Sequence, residues 1–424
     1  MSGSRTRPVL VVSVALVCVL FAFPAILAVL ARGPLFYYHV LLLLSDVPLA
    51  VLGVAVLVDA LVVRERPDRA VLTALGFVAA LVVALAFHPS PQGIQLVVRL
   101  LAAIALAVAI VRVRGLGAWP LVAGAFGAAA IAQTGLAVAQ LIKGGPLGLP
   151  GLGEFADPLY AVGTALAPRG TMYQQYVLAG FALIAAMVLV AEGLRRARPA
   201  WWLVAAAVAV VPVGLTYSRA ALGGLAIGCL ALAIGGRARP RAHTAAIAAL
   251  LVGAGIPALL TFDAWATQSA KSLDPNSRDI LLREGLELYE TSPLVGIGPG
   301  RMVVALAEKE AAHPGSVELL QPTHGVPILA LVEGGIQAGV LCAAVVLLMA
   351  WRARRSWVGL ALFGVYLPFI LFDHYPYTHA QGIVLSAVWL GAVELCAREA
   401  AARVPAAPTD EATAPSGTRA PLLL

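Results

Sequence analysis

The stretch RRARPAWWLVAAAVAVVPVGLTYSRAALGGLAIGCLALAIGGRARPR (residues 195–241) fixes the architecture. Two apolar runs, 200–217 and 220–235, lie between two clusters of arginine and meet at the tight turn Thr216-Tyr-Ser-Arg219. Each run approaches the length of a bilayer-spanning helix, about 17–25 residues. Such a hairpin puts Arg195, Arg196, Arg198, Arg237, Arg239 and Arg241 at one membrane surface and the turn at the other. Loops rich in Lys and Arg stay in the cytoplasm, so the turn faces outward.

The same pattern extends along the whole chain of 424 residues, which is 61% hydrophobic and only 12% charged; its mean hydropathy is +0.91. Apolar runs near 9–31, 39–62, 70–87, 93–111, 118–140, 173–193, 200–217, 220–235, 243–262, 326–349, 357–372 and 381–397 predict an all-α polytopic membrane protein of about twelve transmembrane helices. Val9–Ala31 carries no small-residue cleavage site and reads as a retained helix. Arg5/Arg7, Arg64/Arg66/Arg69, Arg112/Arg114, Arg352/Arg354/Arg355 and Arg398/Arg403 fall in every second connection, so both termini are expected in the cytoplasm. The net charge of +7 therefore orients the chain in a membrane and does not signal nucleic acid. Cys18, Cys229, Cys342 and Cys396 all sit in apolar runs, with no CxxC pair, so neither disulfides nor a metal site is expected.

The chain divides into helices 1–9 over 1–262, with an outer loop at 143–172; an extracytoplasmic segment at 263–325 between helices 9 and 10; helices 10–12 over 326–397; and a disordered cytoplasmic tail at 398–424. In the long loop, Asn276 or Ser277 can cap a helix running to about Tyr289, whose Leu282, Leu286 and Tyr289 would face the membrane domain.

Few polar groups interrupt this apolar chain. Arg278 opens the loop helix, where a cation opposes the helix dipole unless an anion is held there; the alternative is an ion pair with Asp274. Arg219, beside Ser218, sits at a hydrocarbon boundary, where it either snorkels to headgroups or grips an anion with its planar fork. His324 precedes Val326-Pro327, with Pro suited to the first turn of a helix, and is either structural or a general base. Glu333 inside the tenth span should be paired or protonated, in a supporting role such as holding an arginine. Asp373-His374-Tyr-Pro-Tyr-Thr-His379 offers a second base, Asp373 or His374. Asp46, Asp59, Arg99 and Glu192 read as packing or interface residues. Gly296-Ile-Gly-Pro-Gly300 lacks the Lys-Ser/Thr ending of a nucleotide loop and reads as a turn.

Taken together, Thr216-Tyr-Ser218-Arg219-Ala-Ala, Arg278 followed by Pro293-Leu-Val-Gly-Ile-Gly-Pro-Gly300, and His324 with Glu333 and Gly335 beyond it resemble the O-antigen ligase and polymerase superfamily. Arg169-Gly170-Thr171 is similar to that family's Gly-Thr element, and the resemblance spans about residues 160–390. It implies transfer of a glycan from an undecaprenyl-diphosphate donor to a glycan or lipid acceptor, at the outer face of the cytoplasmic membrane, without metal, nucleotide or other cofactor. Arg219 and Arg278 would bind the diphosphate, His324 would activate the acceptor hydroxyl, and Ser218, Glu333 and Arg169 would support them. Gly325 and Leu282 depart from the family, which usually has Asn and an aromatic at these places. A polymerase joining lipid-linked repeat units would use the same residues. A transporter of about twelve helices is the alternative from another class, although the long loop after the ninth span and the lack of an internal repeat do not suit two matched halves.

Overall fold

Apolar helices account for most of the chain, and they break where proline or glycine dictates. The computed structural model describes residues 3–32, 39–63, 67–162, 165–197, 199–271 and 276–402. Among them run α1 (Gly3–Leu20), β1 (Ile26–Ala31), β2 (Val40–Leu43), α2 (Asp46–Val63), α3 (Arg69–Phe87), α4 (Pro91–Gly115), α5 (Trp119–Lys143), β3 (Tyr160–Val162), β4 (Ala165–Ala167), α6 (Gln175–Arg195), α7 (Ala200–Ala209), α8 (Val211–Leu215), α9 (Arg219–Gly235), α10 (Pro240–Leu260), α11 (Phe262–Lys271), α12 (Asn276–Thr291), α13 (Met302–Ala312), α14 (Val326–Ala353), α15 (Trp357–Phe372), α16 (Tyr375–Thr378) and α17 (Ala380–Ala402). Among the described residues, seven helices (α3, α4, α5, α6, α10, α14 and α17) are long and apolar enough to cross a membrane, and shorter apolar helices lie at 7–20, 200–215, 219–235 and 357–372. The protein is a multi-pass membrane protein. Its central helix is α6, whose residues 177–194 are all buried inside the protein, unlike the equally apolar α3.

The structure corrects the first expected span. α1 stops at Leu20, and residues 26–31 pair antiparallel with 40–43 instead of continuing the helix. Pro24 explains the stop, because it supplies no N–H and disfavours helical backbone at Phe23. At the other end α17 continues through Ala402, so residues 398–402 are helical and not tail. Arg398 there pairs with Glu394 at 2.7 Å, one turn earlier. Arg64, Arg66, Arg198, Asp274, the side chains of Asn276 and Ser277, and the tail from Arg403 onward lie outside the described residues.

The seventh expected span is two helices, α7 and α8, broken ahead of Pro212. Pro212 has no N–H for the carbonyl of Val208, and the Thr134 hydroxyl on α5 donates to that carbonyl at 3.2 Å instead. α14 is broken at Gly335, with φ 71° and ψ −175°. The segment 293–298 repairs this break. Ile297 N–H donates to Val332 O at 3.1 Å, Gly298 N–H to Glu333 O at 2.9 Å, and Ile336 N–H to Pro293 O at 3.0 Å. A Cβ on Gly335 would stand 2.3 Å from the Leu294 carbonyl, so only glycine permits this approach. The Gly-Ile-Gly-Pro-Gly run is therefore a clasp on a broken helix, a closer fit than the free turn expected from sequence.

Beyond the expected loop helix α12, the long connection holds α11 and α13. The buried face of α12 differs from the expected one. Leu281 and Glu284 are buried and Leu282 and Leu286 are exposed, while Tyr289, the third expected residue, does pack against the core. Two leucine stripes compete on this helix, and the one that wins contains a carboxylate. The Glu318 N–H donates to Glu284 Oε1 at 2.8 Å, while Oε2 has no partner among the described residues.

Candidate functional site

The site lies where the first turn of α9 meets the last turn of α15. These helices pack antiparallel and in near contact: a Cβ on Gly224 would lie 2.2 Å from the Val365 carbonyl, and Gly235 faces Trp357. Following the pair the other way carries Arg219, the first residue of α9, toward the last turns of α15. Tyr176, at the start of α6, feels the charges of both Arg219 and Asp373.

A strained turn presents Arg219. Tyr217 has φ 54°, the single positive φ outside glycine among the described residues. Its buried ring packs edge-on against Trp265 of α11 at 5.7 Å and bonds the Thr261 side chain, while Trp265 Nε1 donates to Gly214 O at 2.9 Å. Ser218 is buried, and its oxygen accepts from Ala221 N–H at 3.3 Å as the N-cap of α9. Its support for Arg219 is thus to fix the helix that carries it. The Arg219 side chain itself is exposed.

His324 is joined to the turn at 373–379 by Gly325, whose N–H donates to Asp373 O at 3.2 Å. Gly325 holds φ 93°, a conformation L side chains rarely adopt, which gives the departure from the family a backbone reason. The two rival bases expected from the sequence are neighbours: the His324 and His374 rings are 5.5 Å apart, edge to face. His374 stacks in turn on His379 at 5.6 Å, and the Thr378 hydroxyl bridges their Nδ1 atoms at 2.9 and 3.0 Å. Tyr173, just after Arg169-Gly-Thr, closes this row against His379 at 5.0 Å.

Electrostatics separates the members of this cluster. Burial, and then the charge of Arg278, lower the His324 pKa to about 4, so its imidazole is neutral at pH 7. Burial drives His379 down to about 3 and puts His374 well below the ordinary value, the latter helped by His379 and His324. Burial raises Asp373 to about 6, opposed by the backbone N–H groups of Tyr375 and His374 and by Arg278. The His374 N–H reaches the Asp373 carboxylate at 2.7 Å. His324 Nδ1 is buried and has no hydrogen-bond partner among the described residues. Arg278 is exposed at the start of α12 and makes no ion pair with a described residue. The positions picked from sequence in three separate segments, Arg278, His324 and the Asp373-His374 pair, thus share one field.

Glu333 does not hold an arginine. Its buried carboxylate accepts Gly300 N–H at 2.8 Å and Met302 N–H at 3.1 Å, with Tyr377 as a further partner. It anchors the end of the clasp and the first turn of α13 to α14, a favourable place for an anionic group. Arg169 donates to the carbonyls of Phe155 and Asp157 at 3.1 and 2.6 Å, and its backbone N–H donates to Gln140 on α5. It pins the 144–172 loop and reaches the row of rings only through Tyr173. Asp46, Asp59 and Glu192 pair with Arg99, Arg112 and Arg195 at 3.0, 2.5 and 2.7 Å. Tyr176 and Thr378 were not singled out from sequence; their company of Arg169-Gly-Thr and Asp373-His374 was the available signal. Among the described residues, no group of three His, Cys, Asp or Glu side chains is placed to hold a metal ion.

Residues 204–342 match the O-antigen ligase family. The O-antigen ligase match starts in α7 and ends within α14, so it contains Arg219, Arg278, His324 and Glu333 and stops short of Asp373 and His374. No curated protein matches the chain. The match supports a ligase or polymerase type of function for this membrane protein.

Proposed function

We propose that the chain is a glycosyltransferase of the O-antigen ligase type, moving a glycan from undecaprenyl diphosphate to an acceptor hydroxyl at the outer face of the cytoplasmic membrane, with both termini inside. One observation carries this reading: the matched region puts a neutral histidine in the field of an exposed arginine that lacks an ion-pair partner among the described residues. Arg278, with Arg219, binds the diphosphate through bidentate contacts. The acceptor oxygen attacks the anomeric carbon, the bond from that carbon to the diphosphate oxygen breaks, and the lipid diphosphate leaves with the bonding electrons. His324 takes the acceptor proton and later yields it to solvent. The chemistry needs no metal or nucleotide, because the arginines carry the charge of the leaving group.

The test compares His324→Ala with His374→Ala and Asp373→Asn on one purified lipid-diphosphate glycan with candidate acceptors. Loss of a general base costs about 10²–10⁴-fold in turnover. His324→Ala should lose that much while still binding donor. Near-normal turnover in His324→Ala, with loss at 373 or 374, moves the base to the last outer turn. The product separates ligation from polymerisation of repeat units, and substrate movement without any new bond would mark a transporter.

A further inference from the structure

At the end of the bundle remote from His324, His374 and His379, the C-terminus of α6 and the start of α10 enclose two adjoining hollows that share Leu194, Arg195 and Arg239, with His243 lining the first. Their cavity volumes are about 320 Å³ and about 680 Å³. α6 runs from beside Tyr173 to Arg195, and its 21 residues put the groove about 30 Å from the site. The carboxylates nearby are already occupied. Glu192 lies 2.7 Å from Arg195, and Glu399 lies 2.9 Å from Arg195 and 2.7 Å from Arg114. Arg239 and Arg241 are exposed and have no carboxylate partner among the described residues. Arg239 instead donates to Leu194 O at 3.3 Å, which aims its head across the mouth of the groove. Arg196 lies over the Trp202 ring and reaches Glu192 only at 3.7 Å. The groove is therefore positively charged beyond what its own carboxylates neutralise.

Its walls are not those of a site for a soluble anion. Pro199, Ala242, Ala245 and Val358 line it with apolar surface. Trp201, 83% exposed on the adjoining turn of α7, is the kind of ring that sits at a membrane–water interface. We propose that this groove binds the headgroup of an anionic phospholipid. The phosphate is gripped by Arg239 and Arg241, and the first acyl carbons lie along the Ala242–Ala245 wall. Arg112, paired with Asp59, and Arg352, paired with Asp68 and Glu394, are already neutralised and offer no such vacancy for a lipid.

The test uses the full-length protein in detergent and reads retained lipid by native mass spectrometry. Phosphatidylglycerol and phosphatidylcholine are added in turn to wild type, to Arg239→Gln/Arg241→Gln and to Arg69→Gln, a control with an exposed arginine outside the groove. Wild type should retain phosphatidylglycerol over phosphatidylcholine. The double variant should lose about 30-fold of that preference, since each arginine near a headgroup contributes about a five-fold effect, while Arg69→Gln keeps it. Equal retention of the two lipids by wild type overturns the proposal without needing any variant. So does an equal loss in Arg69→Gln, which would make the attraction a general surface charge effect. Displacement of the lipid by millimolar inorganic phosphate would reassign the groove to a soluble anion. None of these readouts involves glycan transfer, so the outcome stands apart from the proposed activity.

Discussion

Donor binding should make His324 a stronger base, and the pH profiles of the two kinetic parameters can show it. In the free protein its pKa is about 4, through burial and the nearby Arg278 charge. At pH 5.5 such an imidazole is still about 97% neutral, whereas one with the ordinary value near 6.5 would be only about 10% neutral. The acid limb of kcat/KM, which reports the free enzyme, should therefore lie near pH 4 where His324 governs it. A base this weak is poorly matched to neutral pH. The donor diphosphate brings about two negative charges against the two positive charges of Arg219 and Arg278. One such charge about 8 Å away, at an effective dielectric near 20, is worth about 2 kcal/mol, or about 1.5 pK units. Negative charge favours the imidazolium, so the shift is upward, and the acid limb of kcat should lie about one to two units above that of kcat/KM. Asp373, raised to about 6, would add its own limb there, and Asp373→Asn identifies it by removing it. The assay is initial-rate transfer over pH 3–8 in a fixed detergent. A kcat limb at or below that of kcat/KM refutes the reasoning, because the diphosphate would then lie outside the field that lowers His324.

Arg219→Ala and Arg278→Ala should each abolish transfer and weaken donor binding with the protein folded and inserted, and lysine should restore only part of it because the bidentate fork is lost; normal donor affinity in both alanine variants argues against the role. Glu333→Ala strips the acceptors from the Gly300 and Met302 N–H groups, at about 1–3 kcal/mol each. It should lower thermal stability by about 2–6 kcal/mol, with Glu333→Gln lowering it less, and an unchanged melting temperature in detergent would remove the clasp from the account. A cysteine at Ser316 should react with an impermeant reagent from outside intact cells; reaction only after lysis puts the site on the wrong face for an externally displayed donor.

The apolar runs were legible because one feature, length without charge, decides them. The run at 357–372 coincides with α15 to the residue. The failures have particular causes. Residues 26–31 are as apolar as the helix before them, and a short apolar run has no period that separates strand from helix; Pro24 was the available warning. On α12 the Leu282–Leu286 stripe looked cleaner than the one through Leu281, because the latter contains Glu284. The group that pairs with Glu284 Oε1 is the N–H of Glu318, distant in sequence and near only in the fold. The sequence marks Glu333 as a buried carboxylate in need of a partner and points to an arginine. Its partners are backbone N–H groups on the far side of a loop, and no side-chain pattern announces them. The closeness of His324 to His374 likewise depends on how the start of α14 meets the end of α15.

The two arginines assigned to the diphosphate are held very differently, and this bears on how the site works. Arg219 stands on a helix locked to α15 through glycine contacts, behind a strained turn braced by Trp265. Arg278 rides on an amphipathic helix of the long connection, exposed at the end that carries the charge. The segment after α12 is nevertheless fastened firmly: the 293–298 backbone completes the hydrogen bonds of the broken α14, and Glu333 holds the next turn. The break at Gly335 thus serves the site from a distance, because an unbroken α14 would offer the clasp no free peptide groups. Arg278 meets a bulky lipid-linked glycan from the exposed start of α12, while His324 is held between Gly325 and the His374 ring. On this arrangement, weakening the clasp should harm donor capture more than the chemical step, whereas removing His324 should do the reverse.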